Sequence, residues 1–392
     1  MPADAAPLPL SAPLPLKEQF SRGLDAPICL TWELTYACNL ACVHCLSSSG
    51  RRDPSELTPA EARGIVDDMV DMKVFYVNIG GGEPMLRPDF FDLVSYAVER
   101  KVGVKFSTNG TRLTPERSRQ LAALDYLDVQ ISIDGATAAT NDAVRGEGSF
   151  AAARAAMDNL AAADFGPFKI SVVITRQNVD ELDALAAIAD SYGAQLRLTR
   201  LRPSGRAVDT WDALHPTAEQ QRALYHWLVA RPGVLTGDSF FHLSALGEPL
   251  DGLNLCGAGR VVCLIDPVGD VYACPFVIDR QFLAGNVRDP GGFPVVWRES
   301  ALFTSLREPQ SAGACASCGS FDACQGGCMA AKFFTGLPLD GPDPECVYGH
   351  GETALAALGA RPQSALGHSK VARDGTPIPV PTPVRFRSPA RI

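Results

Sequence analysis

The chain has 392 residues, 46% of them hydrophobic and 20% charged, with a formal net charge of −9. That length holds two or three domains, or one barrel with an appended module. An acidic balance without a Lys/Arg block argues against a nucleic-acid partner. No apolar run of bilayer length and no basic-then-apolar N-terminus is present, so the reading is a cytoplasmic protein with no membrane partner.

Residues 1–27 are rich in proline, alanine and leucine and read as a flexible leader without regular helix. From Ile28 onward, β-type runs at 28–34, 74–79, 102–108, 127–134, 168–175 and 195–201 alternate with helical periodicity at 59–72, 88–100, 114–123, 149–163, 179–191 and 217–230. Thr58-Pro59 and Thr114-Pro115 are helix-start signals. Six strand–helix units make a parallel α/β fold, too short for a closed eight-unit barrel, so the expectation is a partial (β/α)6 TIM-like barrel over 28–235. After about residue 240 the alternation stops and glycine, proline and cysteine dominate. A small metal-held module over 236–350 accounts for the change, and 351–392 reads as a disordered tail.

Cysteine carries the chemistry. CNLACVHC places Cys38, Cys42 and Cys45 on a loop directly after the first strand, where active sites of such folds lie. Three thiolates leave one iron of a four-iron cluster open to an outside ligand. GGGEP (Gly80 to Pro84) follows the second strand; its glycines allow close backbone approach, and Glu83 can accept hydrogen bonds from an ammonium. The third strand ends at Ser107 and Asn109, and the fourth in ISIDG, with Asp134 read equally as a turn residue. Arg145 follows, with a solvated surface charge as its plain alternative. Glu33, just before the cysteine loop, is a candidate acid or base, but no residue stands out as catalytic beyond the cysteine loop itself.

Further along lie Cys256, Cys263 and Cys274, then CASCGSFDACQGGC with Cys315, Cys318, Cys324 and Cys328, then Cys346. These thiolates are enough for two closed four-iron clusters, though zinc ribbons would also accept them. Cys29, on the first strand, fits no pattern and reads as a small buried hydrophobe. His215, His226 and His242 fit no metal spacing, and His44 is read as pointing within its own loop.

The CxxxCxxC spacing resembles the signature of radical S-adenosylmethionine (radical SAM) enzymes. The resemblance implies that Cys38, Cys42 and Cys45 hold a four-iron cluster whose open iron binds the cofactor's methionyl group. It implies that Gly81, Gly82 and Glu83 grip the methionyl amine, and that Ser132 and Arg145 serve the carboxylate or ribose. The later cysteines resemble the SPASM module of peptide-modifying radical enzymes. By that likeness Cys315, Cys318, Cys324 and Cys346 hold one auxiliary cluster and Cys256, Cys274 and Cys328 the other, with Cys263 as eighth ligand.

Longer segments, among them DAPICLTWELTYACNLACVHCLSSSGRRDP and CGAGRVVCLIDPVGDVYACPF, resemble the mycofactocin radical maturase family from about Gly23 to Val347. The family implies S-adenosyl-L-methionine and three 4Fe-4S clusters as cofactors. It implies oxidative decarboxylation of the C-terminal tyrosine of a small precursor peptide ending in Val-Tyr, then closure of a lactam between valine and the former tyrosine. An external one-electron donor and a separate small peptide chaperone are the expected partners, since the leader is too short to be a peptide-binding domain. A thioether-forming or sulfatase-activating maturase is the alternative within the same chemistry, and a non-enzymatic zinc or iron–sulfur protein the alternative outside it.

Overall fold

The computed structural model describes residues 16–359, apart from 75, 238–239, 253 and 309–311. Six strands appear where alternation places them: β1 (Cys29–Glu33), β2 (Tyr76–Gly80), β3 (Gly103–Thr108), β4 (Leu127–Ser132), β5 (Lys169–Ile174) and β6 (Gln195–Arg200). Three more follow: β7 (Val262–Ile265), β8 (Asp270–Tyr272) and β9 (Leu283–Asn286). They form one sheet in the order β6-β5-β4-β3-β2-β1-β7-β8-β9.

Register assigns the two faces. Leu30, Val77 and Val104 are aligned across β1 to β3, and Trp32, Ile79, Phe106 and Val129 across β1 to β4. All seven are at most 1% exposed. They lie under the helices, where Phe106 meets Phe90 edge-on at 5.1 Å. Each such burial contributes roughly 1.5–3 kcal/mol. The other face carries Thr31, Asn78, Lys105 and Asp128 in one row, then Ser107, Gln130 and Lys169, then Ser132, Ser171 and Arg197. This polar face is concave. Arg197 on β6 feels Cys29 on β1 and Tyr76 on β2, although five flat strand spacings would hold β6 and β1 about 24 Å apart.

Helix starts follow the sequence signals. Thr58 closes a reciprocal capping box with Glu61, and Thr114 accepts from the Arg117 N–H; a proline follows each cap. Within the barrel region two helices were not expected, Ala138–Arg145 and Ala207–Leu214. The first is capped by Thr137, whose hydroxyl accepts from the Thr140 N–H. The second buries Ala207, Trp211 and Leu214 in a small cluster with Leu201.

The sheet also differs from expectation beyond residue 235. β7 runs parallel beside β1, with Leu30 opposite Cys263, so the cysteine-rich part extends the barrel sheet instead of standing beside it. At the far edge, Leu235 pairs with β6, and Arg200 at the end of β6 is ion-paired with Asp343 and Glu345. The cysteine-rich part therefore touches both edges of the curled sheet.

The leader expectation needs correction for its described residues. Leu16–Arg22 is a helix, and the chain after it is docked: the Leu24 N–H donates to the Arg260 carbonyl at 3.1 Å, and Trp297 Nε1 donates to the Leu24 carbonyl at 2.9 Å. Likewise His350–Leu358 is helical. Residues 1–15 and 360–392, the rest of the expected leader and tail, lie outside the described residues. Among the described residues no helix is long and apolar enough to cross a membrane.

Candidate active site and cluster sites

The cysteine loop leaves the C-terminal end of β1 and is fastened at both ends. The buried Glu56 carboxylate accepts from the Thr35 hydroxyl at 3.0 Å and the Tyr36 N–H at 2.8 Å. The Cys38 N–H donates to the Gly50 carbonyl at 3.0 Å, and the Gly50 N–H to the Tyr36 carbonyl at 2.7 Å. From beyond β6, Arg206 donates through Nε to the Cys42 carbonyl at 2.8 Å and through Nη1 to the Ser49 carbonyl at 2.9 Å. The preceding Gly205, at φ +57°, lies so close that a Cβ would stand 2.4 Å from the Cys45 carbonyl oxygen.

Asp134 is not a plain turn residue. Fully buried, it meets His44 Nε2 at 2.9 Å and Arg145 Nε at 2.6 Å through Oδ2, while Oδ1 accepts from the Val173 N–H at 2.7 Å. The Arg145 contact is an ion pair by distance, its N–H lying off the line of a hydrogen bond. Burial alone would raise the Asp134 carboxyl; the Arg145 and His44 charges and the hydrogen bonds outweigh it and hold it well below the usual carboxylate range. The same arginine and Arg206 place positive charge beside Cys42. His44 thus points out of its loop, and Arg145 is a buried partner of Asp134 rather than a surface charge.

The GGGEP turn packs on this loop backbone to backbone. The Gly82 N–H donates to the Thr35 carbonyl and the Glu83 N–H to the Ala37 carbonyl, each at 2.8 Å. A Cβ on Gly82 would lie 2.0 Å from the Ala37 oxygen, and one on Gly81, at φ +109°, 2.8 Å from the Thr35 oxygen. Glycine is needed here for loop-on-loop packing. Glu83 is wholly buried and accepts from the Asn109 N–H and the Thr108 hydroxyl, both at 2.9 Å. Burial dominates and pushes its carboxyl up to about 7, although these hydrogen bonds pull the other way.

The remaining candidates sit around this pair of loops. Ser132 is at the end of β4 on the concave face, opposite Ser171. Ser107 Oγ accepts from Gln130 Nε2, and Asn109 Nδ2 donates to Asn39 Oδ1. Glu33 is buried at the end of β1 against Gly81. Cys29 is a half-buried residue of the concave face, not a core hydrophobe.

The later cysteines gather in two groups. Cys315, Cys318, Cys324 and Cys346 line a single pocket with His242 and Asp343. Cys274 feels the charges of Cys256 and Cys328, which places those three together. Cys328 receives Arg202 Nε at 3.3 Å, and that guanidinium lies 3.8 Å over the Phe276 ring. Burial would raise the Cys328 thiol, but Arg202 and Arg200 lower it below its ordinary value. Cys263 lies on β7, fully buried and aligned with Leu30; burial pushes its thiol up, and Cys29, Arg307 and Cys274 all act on it. His242, set aside on spacing, donates from Nε2 to Gln221 Oε1 at 3.1 Å, and burial keeps its ring neutral. His215 stacks on Trp211.

These donors suit iron–sulfur clusters. Burial pushes the Cys38 thiol up to about 12 and the Cys42 thiol to about 11, aided by their mutual repulsion with Cys45. Thiolates there need a positive partner, which iron supplies. Among the described residues no three His, Cys, Asp or Glu side chains converge tightly enough for one metal ion. A four-iron cluster takes its thiolates at separate corners. Arg202, Arg206 and Gly205 escaped the sequence reading and His242 was set aside in it, since no local spacing ties them to a cysteine.

Gly82→Ala should therefore displace the cysteine loop and remove about four irons per chain, while Gly80→Ala, whose Cβ would meet nothing within 4 Å, should keep its full iron. Anaerobic iron and sulfide analysis of the two variants checks this; equal iron in both would contradict the packing role.

The radical SAM superfamily model matches residues 32–189, and an iron–sulfur cluster-binding SPASM domain model matches 256–319. Mycofactocin maturase MftC of Mycolicibacterium smegmatis is 67% identical over 383 residues, 97% of each chain. The mycofactocin maturase MftC of Mycobacterium tuberculosis is 66% identical over 380 residues, 96% of this chain and 97% of its own. Among solved structures, Streptococcus suis SuiB bound to precursor peptide SuiA superposes with a TM-score of 0.66 at 18% identity, covering 84% of this chain and 78% of that one. Native anSMEcpe with bound AdoMet gives 0.61 at 16%, covering 84% and 98%. At those identities the likeness is one of fold. With its cysteine loop at the barrel mouth, its second set of cysteines and near full-length identity to the maturases, the chain belongs to the mycofactocin maturase family of radical SAM proteins with a SPASM domain.

Proposed function

We propose that this chain oxidatively decarboxylates the C-terminal tyrosine of a small precursor peptide ending in Val-Tyr and then closes the lactam between the two residues. The near full-length likeness to the mycofactocin maturases, running through both cysteine regions, carries this reading. When bound, S-adenosylmethionine and the cluster at Cys38, Cys42 and Cys45 supply a hydrogen-abstracting radical, and two auxiliary clusters supply one-electron acceptors, three 4Fe-4S clusters in all.

The chain's own residues have separable tasks in this scheme. Glu83, buried and held by Asn109 and Thr108, is set to receive the methionyl ammonium. Cys315, Cys318, Cys324 and Cys346 hold one auxiliary cluster. Cys256, Cys274 and Cys328 hold the other, with Cys263 as a fourth ligand only if β7 yields its thiol from the core. Losing carbon dioxide and two hydrogens takes two electrons from the peptide, one with the abstracted hydrogen atom and one separately. Lactam closure is redox-neutral overall. An external one-electron donor and a separate small peptide chaperone complete the set of partners.

Two outcomes follow. Anaerobic incubation of the loaded enzyme with a precursor ending in Val-Tyr, cofactor and reductant should remove the mass of formic acid from the peptide; loss of two hydrogens alone would mark thioether formation and contradict the reading. Glu83 in the free protein titrates at about 7, and a bound ammonium favours its ionised form. Cofactor affinity, measured by equilibrium dialysis, should weaken as pH falls below about 7, up to tenfold per unit. Glu83→Gln should bind weakly with a flat profile, and a flat wild-type profile would contradict the assignment.

A further inference from the structure

The floor of the barrel lumen carries more positive than negative charge. Lys105, Lys169 and Arg197 all project from the concave face toward the N-terminal half of their strands, with Asp128 aligned beside Lys105. Asp128 is taken by Lys169, to which it is directly ion-paired. Lys105 and Arg197 sense one another, and burial with that repulsion holds the Lys105 ammonium down to about 8. Lys105 lies 5.7 Å from the Tyr76 ring centroid, and among the described residues neither cation has a carboxylate within ion-pair distance. Half-buried cations of this kind are costly without a counter-charge.

The same face offers acceptors. Asn78 Oδ1 and Gln130 Oε1 are buried and unpartnered, although Gln130 Nε2 is used by Ser107. Cations that no described carboxylate pairs with directly, beside unpartnered amide oxygens, fit a ligand that brings both a carboxylate and N–H groups, as a peptide does. The room is adequate. Lys105 and Asn109, whose N–H holds Glu83, are four steps apart along β3 and its exit; that is about 13 Å of strand. An extended two-residue peptide end spans at most about 7 Å.

We propose that Lys105 and Arg197 form a carboxylate-binding site on the lumen floor that seats the peptide substrate beneath the cofactor loops, with Asn78 and Gln130 accepting from its backbone N–H groups. This deepens the peptide-maturase reading and rests on it. The carboxylate is either the C-terminal one or an acidic side chain near that end.

The test uses the full-length, cluster-loaded protein and a labelled octapeptide of the precursor's C-terminus, followed by fluorescence anisotropy. Three probes are compared: the free acid, its C-terminal amide, and a form with acidic side chains changed to amides. Lys105→Gln and Arg197→Gln should each weaken binding of the free acid roughly ten- to hundredfold, and Lys105→Arg should restore most of it. If the C-terminal amide binds wild type as weakly as the free acid binds the variants, the terminal carboxylate is the ligand. If the side-chain amides do so instead, the site stands and the source is an acidic residue. Unchanged affinity for every probe in both Gln variants, with circular dichroism and melting like wild type, would overturn the proposal. Mass analysis of the full precursor with wild type is read separately: no formic-acid loss there sinks the functional reading, while the binding data still judge the site.

Discussion

Asp134 is the point through which the first cysteine loop is tied to the sheet. Its carboxylate, just past the end of β4, meets the His44 ring from the cysteine loop and the Arg145 guanidinium from the following helix, and accepts an N–H from β5. The His44 side chain is 5% exposed and that of Arg145 11%, so little water reaches either. Removing one member of such a network leaves an uncompensated charge, typically at a cost of about 3–5 kcal/mol. The cysteines follow from this anchorage: Arg145 and Arg206 stand over Cys42, and Gly82 and Gly205 press on the loop from either side. A loop of three thiols that repel one another as thiolates keeps its shape because four other segments fix it.

The sheet assigns its two faces to different work. One face is aliphatic and aromatic, covered by helices, and supplies most of the stability. The other is polar, curled inward, and leads from the lysines and Arg197 at the floor to Glu83 and the cysteine loop at the mouth. β7 continues the same sheet, and Arg200 ties the opposite edge to Asp343 and Glu345 beside Cys346. The auxiliary cysteines are therefore built onto the barrel, not tethered to it. Arg202, two residues beyond β6, links the barrel end directly to Cys328.

Local patterns were legible and long-range partnerships were not. Alternation and capping signals place all six barrel strands within about two residues at their ends, because strand period and helix caps are written in neighbouring residues. Cysteine spacing marks the candidate cluster sites for the same reason. By contrast, His44 and Asp134 are ninety residues apart in the chain, and nothing near either names the other. β7 hides because Val262–Ile265 is short and lies among glycine, proline and cysteine. Cys263 answers to two patterns at once: it falls among the later cysteines in sequence, while strand pairing aligns it with Leu30. Likewise Cys29, read as core, faces the lumen because β1 alternates.

The most direct test of Asp134 as the anchor is electron paramagnetic resonance of the reduced Asp134→Asn protein, with and without S-adenosylmethionine. The account predicts that the auxiliary-cluster signals persist while the first cluster's signal, and its change on adding cofactor, is lost. A first-cluster signal of wild-type intensity that still responds to the cofactor would show that the loop holds its shape without the Asp134 charge.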